Sequence, residues 1–184
     1  VEKIMKLEAN HAVAICIDIQ ERLFPHIDGN EALAQRCGIL IKGLQVIGVP
    51  IIVTQQYTKG LGPTIAPIAE ALGPFDPIEK MTFSCCGNDA VEAVVLGAAR
   101  HSVILFGIET HVCVLQTVLD LIAQGQRAYV VEDCVSSRSP NDKRIAIERM
   151  RQAGAVITTS ESILFELLRV SGTPEFKAIS ALVK

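Results

Sequence analysis

With 184 residues, a formal net charge of -3 and 49% hydrophobic content, the chain suits a single domain, residues 1–184, burying roughly 70% of its unfolded surface. Lys and Arg are scattered, with no basic stripe and no interleaved aromatic platform, which argues against a nucleic-acid partner. No apolar run approaches the roughly 18 residues of a membrane span, and the opening VEKIMKLEAN lacks the apolar centre of a signal peptide, so a cytoplasmic protein without membrane contact is expected.

AVAICID (12–18) is a continuous apolar run closed by one acid and reads as the first strand. EALAQRCGILIKGLQVIG (31–48) places Leu33, Leu40, Ile41, Leu44 and Ile47 on one helical face and stops at Gly48, with Pro50 beyond. PIIVTQQ (50–56) is the second strand. The loop YTKGLGPT leads to a short helix near 64–72, and GPFDP turns the chain into a third strand, PIEKMTF (77–83). A helix over 88–100 precedes the fourth strand, HSVILFG (101–107), and another helix runs from there to about Gln124. RAYVVED (127–133) is the fifth strand. Ser139 as cap, Pro140 at the first helical position and Asp142 near the positive end open a helix to about Ala153. AVITT (155–159) is the sixth strand, Ser160 is expected to cap a helix over 161–170, and Thr173 to cap a last short one.

Strands alternating with helices, with strands that are aliphatic throughout, define an α/β fold: a Rossmann-like, doubly wound sheet of six mainly parallel strands in the order 3-2-1-4-5-6, with helices on both faces. Ligands of such sheets bind beyond the carboxyl ends of the strands. The polar residues there are Asp18 and Gln20, then Gln55 and Gln56, then Glu79 and Lys80, then Glu109 to Cys113, and last Asp133 with Ser136 to Arg138. No G-x-G-x-x-G or Walker sequence follows any strand, so no nucleotide cofactor is expected.

GIETHVCV (107–114) carries a carboxylate, a hydroxyl, an imidazole and a thiol in five residues. With Thr110 as helix cap, Cys113 falls in the first turn, where free N–H groups and the helix dipole lower a thiol pKa and favour the thiolate. His111 is the nearest base, but residues two apart on a helix point in different directions. Asp18 is the better candidate, because the first and fourth strands are neighbours in this order. Lys80 can stabilise both the carboxylate and a developing thiolate. The remaining cysteines, at 16, 37, 85, 86 and 134, form no Cys-x-x-Cys and have no His at zinc spacing, so packing rather than a metal or a disulfide is expected. Capping or loop bracing is the expectation for Asp133, Ser137 and Arg138. The helix after Cys113 is apolar on two faces, one for the sheet and one for a neighbouring helix or a second subunit.

Three segments, DIQERLF (18–24), EKMTFS (79–84) and GIETHVCVLQTVLDLIAQG (107–125), resemble the isochorismatase-like cysteine hydrolase superfamily, which includes nicotinamidases and N-carbamoylsarcosine amidase. ETHVCVLQT and VEDCVSSRSPND look most like the small isochorismatase domain-containing proteins. The resemblance runs from residue 12 to about 170. It implies Asp18 as general base, Lys80 as its charged partner and Cys113 as nucleophile. It further implies a cis peptide at Ile108-Glu109 and an oxyanion hole from the backbone N–H groups of Glu109 and Cys113. Phe24 matches the family's pocket aromatic or belongs to the core, Gln20 is placed to bond a substrate or to cap a loop, and Thr110 is a further candidate substrate contact. A homo-oligomer, a dimer or larger, also follows from it. The metal-binding Asp-x-His of nicotinamidases is missing from TQQYTKGLGPTIAP, so no metal is expected, and His111 replaces an Asp found in many relatives. The implied reaction is hydrolysis of an amide-type C–N bond of a small molecule through a Cys thioester. The alternatives are hydrolysis of a vinyl ether, as for isochorismate, and a non-catalytic scaffold retaining the fold.

Overall fold

The computed structural model describes residues 6–97 and 101–184. Its centre is a sheet of six parallel strands: β1 (Ala12–Ile17), β2 (Ile51–Gln56), β3 (Ile78–Lys80), β4 (Ser102–Ile108), β5 (Arg127–Ser136) and β6 (Val156–Thr158). Their order is 3-2-1-4-5-6, as the alternation of elements predicts. The two central strands, β1 and β4, are buried at every residue, which explains why their sequences are aliphatic without alternation.

The pleat nevertheless sorts their side chains. Ala12, Ala14 and Cys16 face a layer made by α1 (Asn30–Ile47), α3 (Ala66–Leu72), α7 (Ser160–Leu168) and α8 (Pro174–Leu182). Val13, Ile15 and Ile17 face α4 (Asp89–Gly97), α5 (Leu115–Ala123) and α6 (Pro140–Ala153). α5 is contacted by α6 and by the turn at Cys85–Gly87, while Leu119 and Ile122 on it are half-buried. Of the helix expected over 88–100, the final residues lie outside the described ones. No helix among the described residues is long and apolar enough to cross a membrane.

Helix ends follow local chemistry, with one exception. Gly48 closes α1 in the left-handed region (φ 83), and Ser139 and Thr173 accept hydrogen bonds from Asp142 N–H and Phe176 N–H as caps of α6 and α8. At α7 the cap is Thr159, whose hydroxyl accepts from Ser162 N–H, and not Ser160. Ser160 is the first helical residue. It donates its N–H (2.7 Å) and its hydroxyl (2.6 Å) to the carboxylate of Asp133, which therefore braces β5 against α7.

Strand lengths differ from expectation at two places. β3 pairs with β2 only over Ile78–Lys80, because after Lys80 the chain turns to wrap the lysine ammonium. β5 extends to Ser136 after a register shift, in which Leu105 pairs with Val130 but Gly107 with Val135. A four-residue helix, α2 (Thr58–Leu61), lies in the loop after β2.

Gly107 has φ +123, and a Cβ there would lie 2.1 Å from the Ile17 carbonyl oxygen. Close approach of β4 to the end of β1 therefore needs glycine at this position. Gly107→Ala is expected to lower unfolding free energy by about 3 kcal/mol or more, read from urea denaturation midpoints.

Candidate active site

The carboxyl ends of β1, β2, β3 and β4 converge on one buried cluster. Register places Ile17 beside both Thr54 and Gly107, and Gln56 beside Lys80. Asp18, the residue after β1, sits in the left-handed region at φ 51, a conformation that costs a non-glycine residue on the order of 1 kcal/mol. Its carboxylate accepts a hydrogen bond from the Thr54 hydroxyl at Oδ1 (2.7 Å) and contacts the Lys80 ammonium at Oδ2 (2.7 Å). Asp18 is 0% and Lys80 2% exposed, so neither is a solvated surface group.

The hydrogens of Lys80 Nζ are donated to Gln56 Oε1 (2.7 Å), Thr82 O (3.1 Å) and Phe83 O (3.0 Å). Three donors thus find three acceptors, and Asp18 adds charge pairing. Burial pulls the Lys80 pKa down, but Asp18 and the nearby thiols of Cys113 and Cys85 push harder, leaving it above its ordinary value. Lys80 is an ammonium at neutral pH.

Cys113 lies in a π-helical turn, Thr110–Val114, in which Val114 N–H reaches back to Glu109 O (3.2 Å). Thr110 does not cap this turn. Glu109 occupies the cap position, and the buried Thr110 hydroxyl has no hydrogen-bond partner among the described residues. The expected thiolate is also corrected: burial and the Asp18 carboxylate push the Cys113 thiol up to about 12, against the downward pull of Lys80. The helix end does not prevail, because the Asp18 carboxylate adjoins the thiol and the group is nearly dry.

Around this cluster the other candidates separate. The Ile108-Glu109 peptide is cis. The buried Glu109 carboxylate accepts from Arg138 N–H and Arg138 Nε, both at 3.0 Å, while the Arg138 side chain itself is largely exposed. His111 Nδ1 is 2.9 Å from the Ser137 hydroxyl, a partner on the β5–α6 connection rather than the thiol. Gln20 is fully buried and braces the loop after β2: Nε2 donates to Gln56 O (3.0 Å) and Gly62 O (2.7 Å), and Oε1 accepts from Gln56 N–H (2.8 Å). Phe24 packs against the α1 layer and lines a groove with Ala34, Ile39, Pro67 and Ala71, between α1 and α3.

Thr54 and Gln56 hold the ion pair, yet only Gln56 stands out in the sequence, as a polar strand-end residue. Thr54 could have been found by register, since a threonine beside the end of β1 is placed to meet Asp18. Cys85, raised to about 11 by burial and Asp18, has its sulfur 4.0 Å from the Thr54 hydroxyl and belongs to the same cluster.

A parallel doubly wound sheet with a buried carboxylate, ammonium and thiol at its carboxyl edge defines an α/β protein whose polar cluster lies at the edge where ligands of such sheets bind. Residues 12–162 match the isochorismatase domain. The chain is 40% identical over 172 residues to isochorismatase domain-containing protein 1 of Salmo salar, covering 94% of this chain and 60% of that protein. It is 38% identical to isochorismatase domain-containing protein 2A of Mus musculus, over 94% of this chain and 82% of that one. Among solved structures, one described as MAR1 ribonuclease from Caenorhabditis elegans superposes with a TM-score of 0.91 at 37% identity, covering 97% of this chain and 92% of that chain. The chain belongs to the isochorismatase family. It spans 60% of the length of the salmon relative.

Because Asp18 raises the Cys113 pKa and Lys80 lowers it, the two substitutions have opposite signs. Alkylation of Cys113 by iodoacetamide draws on thiolate formed in equilibrium with solvent rather than on proton transfer to Asp18. Asp18→Asn should therefore speed it at neutral pH on the order of tenfold and Lys80→Ala should slow it, read by intact mass and peptide mapping. Burial also makes stability fall at alkaline pH. The thiols of Cys85 and Cys113 are raised from 9.0 to about 11 and about 12, so the folded state holds protons that the unfolded chain releases. Urea midpoints should be level below about pH 9 and decline from there toward about pH 12.

Proposed function

We propose that this protein hydrolyses an amide-type C–N bond of a small molecule, with Cys113 as nucleophile, Asp18 as general base and Lys80 as the charge that serves both. The observation that carries the reading is the fully buried 2.7 Å contact between Lys80 Nζ and Asp18 Oδ2 in the cluster that holds the Cys113 thiol. A buried ion pair is a poor source of stability against apolar packing, so its presence at a strand-end crevice favours chemistry.

The thiol starts protonated. As Sγ forms its bond to the substrate carbonyl carbon, the thiol proton passes to Asp18. The carbonyl oxygen becomes an oxyanion, stabilised by the backbone N–H groups of Glu109 and Cys113, each worth about 3 kcal/mol in such a role. Collapse breaks the C–N bond, and the departing nitrogen takes the proton back from Asp18. Water, giving its proton to Asp18, then attacks the thioester. Collapse breaks the Sγ–C bond, the acid product leaves, and the departing sulfur takes the proton back from Asp18. Lys80 stays an ammonium throughout and balances whichever neighbour is negative.

The buried, unpartnered Thr110 hydroxyl, at the start of the turn that carries Cys113, supports a substrate contact there. Gln20, with both Nε2 hydrogens spent on the loop, serves the pocket wall, and Phe24 serves the α1 layer. A small molecule is favoured over RNA by the net charge of -3 and the scattered Lys and Arg, although the C. elegans relative carries a ribonuclease name.

A panel of small uncharged and acidic amides and ureas, assayed by ammonia release, tests the reading. One or more should turn over, with losses on the order of 10³-fold or more in Cys113→Ala and Asp18→Asn. Absence of turnover across the panel together with cleavage of single-stranded RNA would overturn it, and vinyl ether hydrolysis that survives Cys113→Ala would move the chemistry to Asp18 alone.

A further inference from the structure

Thr117 stands one helical turn after Cys113, fully buried, and belongs to none of the groups assigned so far. Its hydroxyl donates to the Cys113 carbonyl (2.6 Å) and accepts from the Cys85 N–H (2.9 Å). It therefore spans two segments far apart in sequence, the nucleophile's turn and the residues that follow Lys80. The second segment is the one whose Thr82 and Phe83 carbonyls hold the lysine ammonium. Cys85 also reaches the other side of the cluster, with its sulfur beside the Thr54 hydroxyl that donates to Asp18.

The connections form a continuous chain, a circuit of contacts that ends on the nucleophile's backbone. Asp18 is held by Thr54 and Lys80, Lys80 by the carbonyls at 82 and 83, Cys85 by Thr117, and Thr117 by the backbone of Cys113. Only the Thr117 hydroxyl joins the nucleophile's backbone to this circuit through hydrogen bonds among the described residues. A valine of the same shape would leave a buried N–H and a carbonyl lone pair unmet, and both segments would relax away from one another.

We propose that Thr117 is a positioning residue that fixes the distance of the Cys113 thiol from the Asp18–Lys80 pair, and so sets the electrostatic coupling among the three. This rests on the catalytic reading above, but the two can fail separately. The π-helical turn makes the tie useful, since Cys113 sits where the helix is widened and its backbone ladder is irregular. An i to i-4 hydroxyl bond at the junction with α5 pins the carbonyl of the nucleophile itself.

The test is a double-mutant cycle read by alkylation of Cys113 with iodoacetamide across neutral to alkaline pH. In the otherwise unchanged protein, Asp18→Asn should raise the rate about tenfold at neutral pH, and in a Thr117→Val background that change should shrink to about threefold or less. Thr117→Ser, which keeps the hydroxyl, should restore the full response. Met150→Ala in α6, a comparably destabilising change elsewhere, should leave it intact. If Asp18→Asn has no effect on Cys113 in the unchanged protein, the catalytic reading fails. A full response that persists in Thr117→Val overturns the positioning role. Should Thr117→Val and Thr117→Ala both fail to fold while Thr117→Ser folds, the hydroxyl serves stability alone and the proposal is likewise overturned.

Discussion

The contact between Asp18 and Lys80 sets the terms for the crevice. A carboxylate and an ammonium taken from water each lose several kcal/mol of hydration, and their mutual attraction offsets this only where other polar groups complete their shells. The chain supplies those groups from three directions: the Thr54 hydroxyl for the carboxylate, and Gln56 with the carbonyls of Thr82 and Phe83 for the ammonium. Those two carbonyls can reach Nζ only because the backbone stops pairing with β2 after Lys80. The shortness of β3 is thus a consequence of the ion pair. The same holds for Asp18, whose left-handed backbone ends β1 one residue before the run AVAICID does.

Much of the fold was legible because burial on two faces leaves a strong mark. AVAICID and HSVILFG admit few readings other than central parallel strands, and six strands separated by helices leave the doubly wound order as the natural arrangement. Gly48, Ser139 and Thr173 mark helix ends through chemistry confined to a few residues, which a sequence displays directly. Ser160 misled because Thr159 beside it caps as well, and the decision fell to Asp133, a residue 27 positions away that took both Ser160 donors. Asp18, Lys80 and Cys113 were proposed from their places at strand ends and from the family resemblance, and the structure brings the three into one cluster. The burial of Lys80 was not legible, since the acceptors that permit it come from a turn with no distinctive pattern.

The protonation state of Cys113 shows a further limit of local reading. A thiol at a helix start suggests a lowered pKa, and the dipole argument holds for the first turn alone. The fixed carboxylate of Asp18 and the loss of water outweigh it. His111 illustrates the converse: proximity in sequence suggests a base, but its ring is tied to Ser137, just past the end of the neighbouring strand β5. Glu109 is similarly committed, with one carboxylate oxygen taking two donors from Arg138. Because the Arg138 head lies in solvent, that pair contributes little as a salt bridge, and its effect is to fix the segment that bears the Glu109 N–H.

On the proposed reading, a protonated thiol beside a neutralised ion pair gives a crevice floor with no net charge at rest. A thiolate would react with many electrophiles, whereas a thiol whose pKa is near 12 becomes nucleophilic only as its proton moves. Asp18 is the carboxylate of the cluster placed to take that proton, and accepting it cancels the charge that had been holding the Lys80 ammonium. Lys80 is then left without its partner at the moment when negative charge is building on sulfur and on the carbonyl oxygen. In a dry site this charge is worth considerably more than in water. The ammonium need not shift for this to happen, because the three acceptors at Gln56, Thr82 and Phe83 keep it in place while the carboxylate changes state. Catalysis by this arrangement therefore depends less on a reactive thiol than on an ion pair whose one member can be neutralised while the other stays fixed.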